Sequence, residues 1–323
     1  MSATSVAAPI VAAKSAGHRG EMIAIVILIA ALLVGPFVVY PFFLMQALCF
    51  ALFACAFNLL IGYVGLLSFG HAMFLGSAGY VSAHAAKVWG LPPELSILCG
   101  IGASAALGLV TGVLAIRSQG IYFAMITLAL SQMIYFFCLQ APFTHGEDGI
   151  QAVPQGKLFA LIPLDNQMTL YYVVLAVFLI GFAIIHRTVN SPFGDILKAI
   201  RENEPRAISL GYKVAQYKLM AFVLSAALVG LAGATKAIVA QNASLTDVHW
   251  SMSGEVILMT LIGGIGTILG PVVGAFILTG MENYLAQYGQ WVTVIQGVIF
   301  VACVMLFRRG IVGEIAARLR LSL

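Results

Sequence analysis

The chain has 323 residues, of which 61% are hydrophobic and only 9% are charged, and its formal net charge at pH 7 is +4. Soluble domains carry roughly 25% charged residues, so this composition, with a mean hydropathy of +1.03, excludes an ordinary soluble globular protein. The small net charge gives no support to nucleic-acid binding. The sequence therefore indicates a protein that lies mostly in a membrane.

Apolar runs long enough to form membrane spans follow one another along most of the chain, because a helix needs about 20 apolar residues to cross roughly 30 Å of hydrocarbon. Residues 1–21 are small, polar and weakly basic, and they predict a cytoplasmic tail. The predicted segments are 22–40, 43–61, 66–88, 95–116, 120–140, 168–186, 218–240, 254–265, 267–286 and 290–307. Segment 254–265 would be only about 18 Å long. We therefore predict about ten transmembrane or re-entrant helices.

Basic residues predict the orientation, since cytoplasmic loops carry an excess of Lys and Arg. With the N terminus inside, the cytoplasmic parts hold Lys14, Arg19, Arg117, Arg187, Lys198, Arg201, Arg206, Lys213, Lys218, Arg308, Arg309, Arg318 and Arg320. The outer loops then hold only Lys87 and Lys157, while Lys236 is expected to extend to the outer interface. We predict that both termini are cytoplasmic and that residues 141–167 and 242–252 form the larger outer loops.

The stretch from Ser191 to Lys218 is the long polar interruption between the apolar segments. Apolar residues recur in it at i, i+3, i+4 and i+7, the spacing of one helix face: Phe193, Ile196, Leu197 and Ile200. Pro205 fits the first turn of a second helix, where its missing N–H costs least. Gly211 fits the end of that helix, because glycine takes the left-handed conformation without steric cost. The pattern predicts a cytoplasmic helix pair that docks a soluble partner.

The run SPFGDILKAIRENEPRAISLGYKV resembles the cytoplasmic coupling loop, or EAA-type loop, of ABC importer permeases. More narrowly, it is similar to the M-type permease of branched-chain amino acid (Liv-type) importers. Three other stretches resemble the same family in order and spacing: Asn58–Tyr80, Lys218–Ala234 and Gly254–Ala275. Within ENEPRAISLG, only the leading acid, one alanine and the closing glycine match the general EAA pattern. The likeness covers most of residues 58–310.

This resemblance implies an all-α polytopic membrane protein with the ABC importer permease fold. Residues 22–310 would form the permease domain, with 191–218 as its cytoplasmic coupling loop, and 311–323 a cytoplasmic C-terminal tail. The residues that it implies for ATPase coupling are Phe193, Ile196, Leu197, Ile200, Arg201, Glu202, Glu204, Arg206 and Gly211. The resemblance also implies that the chain lies in a bacterial inner membrane. Its implied partners are a homologous H-type permease subunit, two cytoplasmic ABC ATPases and a periplasmic substrate-binding protein.

The implied function is translocation of branched-chain or related amphipathic amino acids delivered by the binding protein. The same pattern fits permeases for urea, short amides or other small organic solutes. A self-sufficient secondary transporter is a third alternative, but no acid pair lies in the centre of a predicted span to support it. The sequence contains no G-x-x-x-x-G-K-[ST] phosphate loop. We therefore expect a transport subunit without an ATPase site or bound cofactor, with ATP used by its partners.

Glycines interrupt two of the family-like stretches, at Gly62–Gly70 and at Gly263–Gly270. Non-helical backbone at membrane depth is tolerated where it lines a cavity or is buried in protein, and transporters use such breaks near the solute path. The candidate path residues are therefore Ser68, His71, Phe74, Met259, Gly263, Gly264 and Gly266. A packing turn explains the glycines equally well, and the sequence favours a neutral, hydrogen-bonded core histidine for His71. Glu255 is expected to pair with Lys236.

Small residues repeat every fourth position in three of the predicted segments, and such stripes let helix backbones approach closely in lipid. They are Ser104, Gly108 and Gly112, then Ala226, Gly230 and Ala234, and then Gly266, Gly270 and Gly274. We predict close helix contacts at all three, either within this chain or with a second permease subunit.

Overall fold

The computed structural model describes residues 22–158, 162–164, 166–285, 287, 289, 291–306 and 310–319. The predicted tail 1–21 and the basic residues Arg308, Arg309 and Arg320 lie outside this part of the chain. In chain order the helices are α1 (Met22–Phe37), α2 (Pro41–Asn58), α3 (His71–Lys87), α4 (Pro93–Ala115), α5 (Ile121–Gln140), α6 (Gln167–Val189), α7 (Pro192–Glu202), α8 (Glu204–Ser209), α9 (Val214–Val239), α10 (Trp250–Gly263), α11 (Gly270–Leu285), α12 (Trp291–Leu306) and α13 (Gly310–Leu319).

Five helices in the described part of the chain are long and apolar enough to cross a membrane: α2 with its extension to Val64, α4, α5, α6 and α9. The prediction of a mostly helical, multi-pass membrane protein is therefore confirmed. The other predicted segments appear as helices of 17 residues or fewer, α1, α3, α10, α11 and α12. Helix α3 begins at His71 instead of residue 66, because residues 65–70 form a non-helical connection.

Helices α2 and α9 form the centre of the helical domain. In the most apolar part of α2, 94% of the residues are buried, against 28% in α4 and in α5, so the latter two helices lie at the periphery. Helix α9 packs against α2, α3 and α4, and α2 packs in addition against α6, α10 and α11. A helix that is apolar on every side and buried on every side is typical of the core of a large membrane protein.

Two of the predicted small-residue stripes meet each other where α4 packs against α9. The Ser104 hydroxyl donates a hydrogen bond to the carbonyl of Ala226 at 2.6 Å. A Cβ added to Gly100 would lie 2.8 Å from the Cβ of Ala234, and one added to Gly108 would overlap Ala226. These two stripes therefore serve contacts inside the chain, which was one of the two predicted alternatives.

The two predicted outer loops meet at one end of the helical domain. Strand β1 (Ile150–Gln151) pairs antiparallel with β4 (Asn242–Ala243), while β2 (Lys157–Leu158) pairs with β3 (Ile162–Pro163). At the same end, the Lys87 amine donates to the carbonyl of Gln151 at 2.7 Å. The amine of Lys236 forms its ion pair with Asp247, and the expected pair with Glu255 is not formed. Asp247 lies in the connection between α10 and α9, the helix that carries Lys236.

The membrane orientation is a prediction. It can be tested because each end of the helical domain has positions that are exposed to solvent. Single cysteines placed at Glu147, in the predicted outer loop, and at Ser209, in the predicted cytoplasmic loop, are both exposed to solvent. In intact cells of a strain expressing an otherwise cysteine-free chain, an impermeant thiol reagent should label position 147 only. Position 209 should react after the membrane is opened. Labelling of 209 but not of 147 in intact cells would reverse the proposed topology.

Candidate coupling site

The polar stretch 191–218 folds as two short helices with a break between them. Helix α7 ends at Glu202, and the side chain of Asn203 then accepts a hydrogen bond from the backbone N–H of Arg206 at 3.0 Å, which caps α8. Pro205 lies in the first turn of α8, and Gly211, just beyond that helix, has φ of +89°. The predicted order of helix, break, helix and glycine is therefore confirmed, with the break at Asn203 itself.

The apolar face of α7 is directed into this chain. Leu197 is fully buried in the main core, and Ile200 is 3% exposed. Ile196 is partly buried against the small cluster that contains Ile200, and the ring of Phe193 lies 5.9 Å from the ring of Tyr217 at the start of α9. Each fully buried side chain of this size stabilises the packed state by about 1.5–3 kcal/mol. The stripe therefore attaches α7 to the membrane helices, and it is not an open surface.

Charged residues of α7 and α8 add polar attachments to the spans. The guanidinium of Arg201 donates a hydrogen bond to the carbonyl oxygen of Gly62. The carboxylate of Glu204 accepts one from the amine of Lys218 at 2.8 Å, and the lysine is 5% exposed. A buried ammonium needs such a partner, since an unpaired charge in this environment is costly. Both short helices are thus tied to spans, α7 to the end of α2 and α8 to the start of α9.

Other polar residues of the loop face solvent. The side chains of Glu202 and Arg206 are exposed and make no hydrogen bond or ion pair with the described residues. They are four positions apart, but the break at Asn203 separates them into different helices. Gly211 is exposed as well, and nothing lies within 4 Å of the position that a Cβ would take there. Within the predicted coupling set, Glu202, Arg206 and Gly211 are therefore exposed without a side-chain contact, whereas the exposed Arg201 is engaged with Gly62.

The amide of Asn58 joins the two interrupted stretches. Its oxygen accepts a hydrogen bond from the backbone N–H of Gly266 at 3.0 Å, and its nitrogen donates to the carbonyl of Thr267 at 2.8 Å. Asn58 is 3% exposed, and a polar group in apolar surroundings is tolerated because it makes these bonds. The two breaks that the sequence places some 200 residues apart are therefore in direct contact.

Beyond Asn58 the backbone of α2 widens into a π-helix over Leu59–Val64, which ends at Gly65 with φ of +80°. Such π-helical turns are rare and occur frequently at functional sites. Gly62 lies inside this turn, and a Cβ added to it would be 2.9 Å from the backbone nitrogen of Gly266. The carbonyl of the same glycine accepts the hydrogen bond from Arg201. Helix α7, the π-helical turn and the connection 264–269 thus meet at one point.

The connection between α10 and α11 is a tight turn inside the helical domain. Helix α10 has 14 residues, about 21 Å at 1.5 Å per residue, so it is shorter than the roughly 30 Å hydrocarbon core. Gly264 and Gly266 have φ of +124° and +80°, values that favour glycine. The hydroxyl of Thr267 donates to the carbonyl of Gly264 at 2.8 Å and accepts from the N–H of Gly270 at 3.1 Å. The threonine therefore closes the turn and caps α11.

Most of the predicted path residues are enclosed. Ser68, His71, Phe74 and Met259 have no exposed surface. Among the glycines, Gly263 and Gly264 are buried and only Gly266 is partly exposed. The structure brings His71 and Phe74 together in an aromatic cluster, and it places Met259, Gly263 and Gly264 in the α10–α11 hairpin.

His71 has the environment of a hydrogen-bonded core histidine, as the sequence favours. Its Nε2 lies 3.1 Å from the hydroxyl of Ser225, which itself donates to the carbonyl of Ala56 at 2.6 Å. A hydroxyl has one proton, so the Nε2–H of His71 is the donor between the two side chains. Rings of Phe57 and Phe74 contact the imidazole edge-on, with centroids at 5.0 and 5.6 Å. This residue therefore holds α2, α3 and α9 together.

A cavity of about 460 Å³ lies beside the junction of α7 with the two breaks. Its lining brings Arg201 and Glu202 of the predicted coupling set together with Gly266 of the predicted path set, and it also includes Gly62, Tyr63 and Lys198. Asn58 also belongs to this site, although the sequence patterns did not predict a function for it. The available signal was a lone amide at the end of an apolar segment, four residues before a glycine. Such an amide is informative because polar residues inside spans usually form hydrogen bonds to other helices.

Comparison with known proteins agrees with this architecture. A family profile described as "Branched-chain amino acid transport system / permease component" matches residues 39–307. The high-affinity branched-chain amino acid transport system permease protein LivM of Salmonella typhimurium is 26% identical, over 82% of this chain and 68% of that protein. The ribose import permease protein RbsC of Bacillus subtilis is 27% identical over 80% of each chain. No solved structure matches. The chain belongs to the family of branched-chain amino acid transport system permease components.

Proposed function

We propose that this chain is the transmembrane permease subunit of an ATP-driven importer for branched-chain or related amphipathic amino acids in a bacterial inner membrane. The observation that carries the proposal is the contact of Arg201 on α7 with Gly62, at the point where both helix breaks meet. A soluble ATPase that moves α7 would thereby act on α2 and on the α10–α11 turn together. Membership in the permease family supports the same assignment.

The proposed ATPase contact uses the exposed polar residues of the coupling loop, Glu202 and Arg206, together with the αL turn at Gly211. The buried stripe of α7, Phe193, Ile196, Leu197 and Ile200, has a different role in this proposal. It attaches α7 rigidly to the spans, so that a displacement of the loop is transmitted to them. Glu204 contributes through its ion pair with Lys218.

The full assembly that we propose contains a homologous H-type permease subunit, two cytoplasmic ABC ATPases and a periplasmic binding protein. The chain would have about ten transmembrane or re-entrant helices, with both termini in the cytoplasm. Its paired outer segments, β1 with β4, would then form the surface that receives the binding protein. The solute path that we propose follows the two breaks. It starts at the partly exposed Gly266 and requires the enclosed residues to become accessible during transport: Ser68, His71, Phe74, Met259, Gly263 and Gly264.

Branched-chain amino acids are the first candidate solutes because LivM proteins of two enterobacteria match over 82% of the chain. Sugars are the second candidate, since the ribose permease of Bacillus subtilis and the fructose import permease FrcC of Rhizobium meliloti match at similar identity. Few fixed charges lie in the spans, which suits a neutral or zwitterionic solute in both cases.

Uptake into liposomes by the purified assembly, with its binding protein outside and ATP inside, tests the proposal. We expect accumulation of leucine, isoleucine or valine, and none of ribose, fructose or urea, when all are offered at equal concentration. Inactivation of the ATPase should stop uptake, whereas a protonophore should leave it unchanged. Accumulation of ribose instead of leucine would move the substrate to the sugars. Uptake that persists without ATP and collapses with the protonophore would favour a secondary transporter.

A further inference from the structure

An apolar groove runs between the ends of α4 and α9 on the peripheral side of the helical domain. It has a volume of about 220 Å³ and is lined almost entirely by apolar atoms, from Gly112, Val113, Ile116, Ala215 and Leu219. Other exposed apolar side chains lie on the same two helices, among them Val110 on α4 and Met220 on α9. Because α4 and α9 are both candidate spans, this groove would open toward the hydrocarbon of the bilayer.

The groove continues into a larger cavity of about 600 Å³ at the helix ends, whose lining includes charged side chains, and the two share Ile116, Arg117, Ala215 and Gln216. Arg117 lies two residues beyond the end of α4, and Lys213 directly precedes the first residue of α9. Both side chains line the cavity and are exposed. Neither makes an ion pair with the described part of the chain. The cavity is therefore basic at the depth where the spans leave the membrane.

This cavity forms the mouth of the groove. The positive charge of Arg117 and Lys213 is not neutralised by the other ionisable residues that line the mouth. Glu204 and Lys218 also face the cavity, but they form an ion pair with each other at 2.8 Å. This leaves the two positive charges of Arg117 and Lys213. An arginine beside a lysine suits a phosphate group, because the guanidinium presents a planar set of donors and the ammonium a mobile one.

We propose that this groove and its mouth form a binding site for one anionic glycerophospholipid of the cytoplasmic leaflet. The phosphate would contact Arg117 and Lys213, while an acyl chain lies along Val113, Ile116 and Leu219. Basic pockets between transmembrane helices on the cytoplasmic side bind anionic headgroups. The apolar groove that leads from the mouth into the bilayer would hold an acyl chain, which a free anion lacks. The site adjoins α8 and α9, so the bound lipid would brace the coupling loop against the membrane.

Native mass spectrometry of the full-length chain, with whatever subunits co-purify, tests the site. Phosphatidylglycerol and phosphatidylcholine are titrated in parallel, and we expect one phosphatidylglycerol per chain to bind at least about tenfold more tightly than phosphatidylcholine, from roughly 1 kcal/mol for each basic residue. The double variant Arg117→Gln/Lys213→Gln should lose this preference. Arg187→Gln removes one exposed basic residue at the end of α6 and should keep it. Ala215→Trp should weaken phosphatidylglycerol binding by filling the groove with both basic residues intact.

Three results would overturn the proposal. The first is equal binding of the two lipids by the unmodified chain. The second is competition by soluble glycerol phosphate at the concentrations at which the lipid binds, which would identify a simple anion site. The third is a double variant that keeps phosphatidylglycerol but no longer co-purifies with an ATPase, which would assign the mouth to a protein contact. Variants are compared only when they elute as monodisperse species with the elution volume of the unmodified protein.

Discussion

Replacement of Gly274 by valine is expected to abolish the folded α10–α11 hairpin. A Cβ at this position would overlap the carbonyl oxygen of Met259 and lie 3.0 Å from the backbone nitrogen of Gly263. Both are backbone atoms of α10 that cannot turn aside as a side chain does. The helices would have to separate, at a cost of more than about 3 kcal/mol, the upper end of what overpacking usually costs. We expect little monodisperse protein in size-exclusion chromatography and a strongly lowered midpoint of thermal unfolding.

Gly254→Val is the matched control for this prediction. Gly254 lies in α10, the other helix of the same hairpin, but nothing lies within 4 Å of the position of its Cβ. The change in helix propensity is the same in both variants, since valine replaces glycine inside a helix in each. Yield and thermal midpoint of Gly254→Val should therefore stay close to those of the unmodified chain. If Gly274→Val were as stable as Gly254→Val, α10 and α11 would not pack as closely at Gly274 as the structure shows.

Local patterns predicted the elements of this fold because each depends on residues near one another in sequence. Hydropathy located the five helices that are long and apolar enough to cross a membrane, since a run of about 20 apolar residues has few alternatives to a transmembrane helix. The helix–break–helix order, the place of Pro205 and the left-handed Gly211 followed from the backbone properties of proline and glycine. These predictions needed no knowledge of which helices are neighbours.

Contacts between distant segments were not predictable in the same way. The stripe of α7 indicated that Leu197 and Ile200 must be buried, but not whether by this chain or by a partner; the structure buries both in this chain. Lys236 was expected to pair with Glu255 and pairs with Asp247. The meeting of Asn58 with Gly266 depends on the packing of α2 against α10 and α11. Periodicity fixes which face is apolar, whereas the identity of the neighbour depends on the whole arrangement of helices.

Replacement of Arg201 by methionine is expected to weaken both solute uptake and the ATP hydrolysis that the loaded binding protein stimulates, a result that rests on the proposed function. Methionine keeps much of the apolar stem but removes the donor to the carbonyl of Gly62. Hydrogen bonds to charged groups contribute about 1.5–3 kcal/mol, equivalent to a factor of roughly ten to a hundred in the population of the joined state. Assembly with the ATPase should survive, because Leu197 and Ile200 still anchor α7.

The measurement is hydrolysis by the reconstituted assembly with and without solute-loaded binding protein, together with solute uptake. We expect the stimulated rate and uptake to fall at least about tenfold in Arg201→Met, while ATPase co-purification is unchanged. Asp195→Asn is the control in the same helix: it removes the pairing of Asp195 with Lys198 at 3.4 Å, which is solvent-exposed, and such pairs contribute little. Arg201→Lys should recover part of the stimulation, since its ammonium can still donate a hydrogen bond. Equal stimulation in Arg201→Met and Asp195→Asn would mean that the contact with Gly62 does not transmit ATPase closure to the helix breaks.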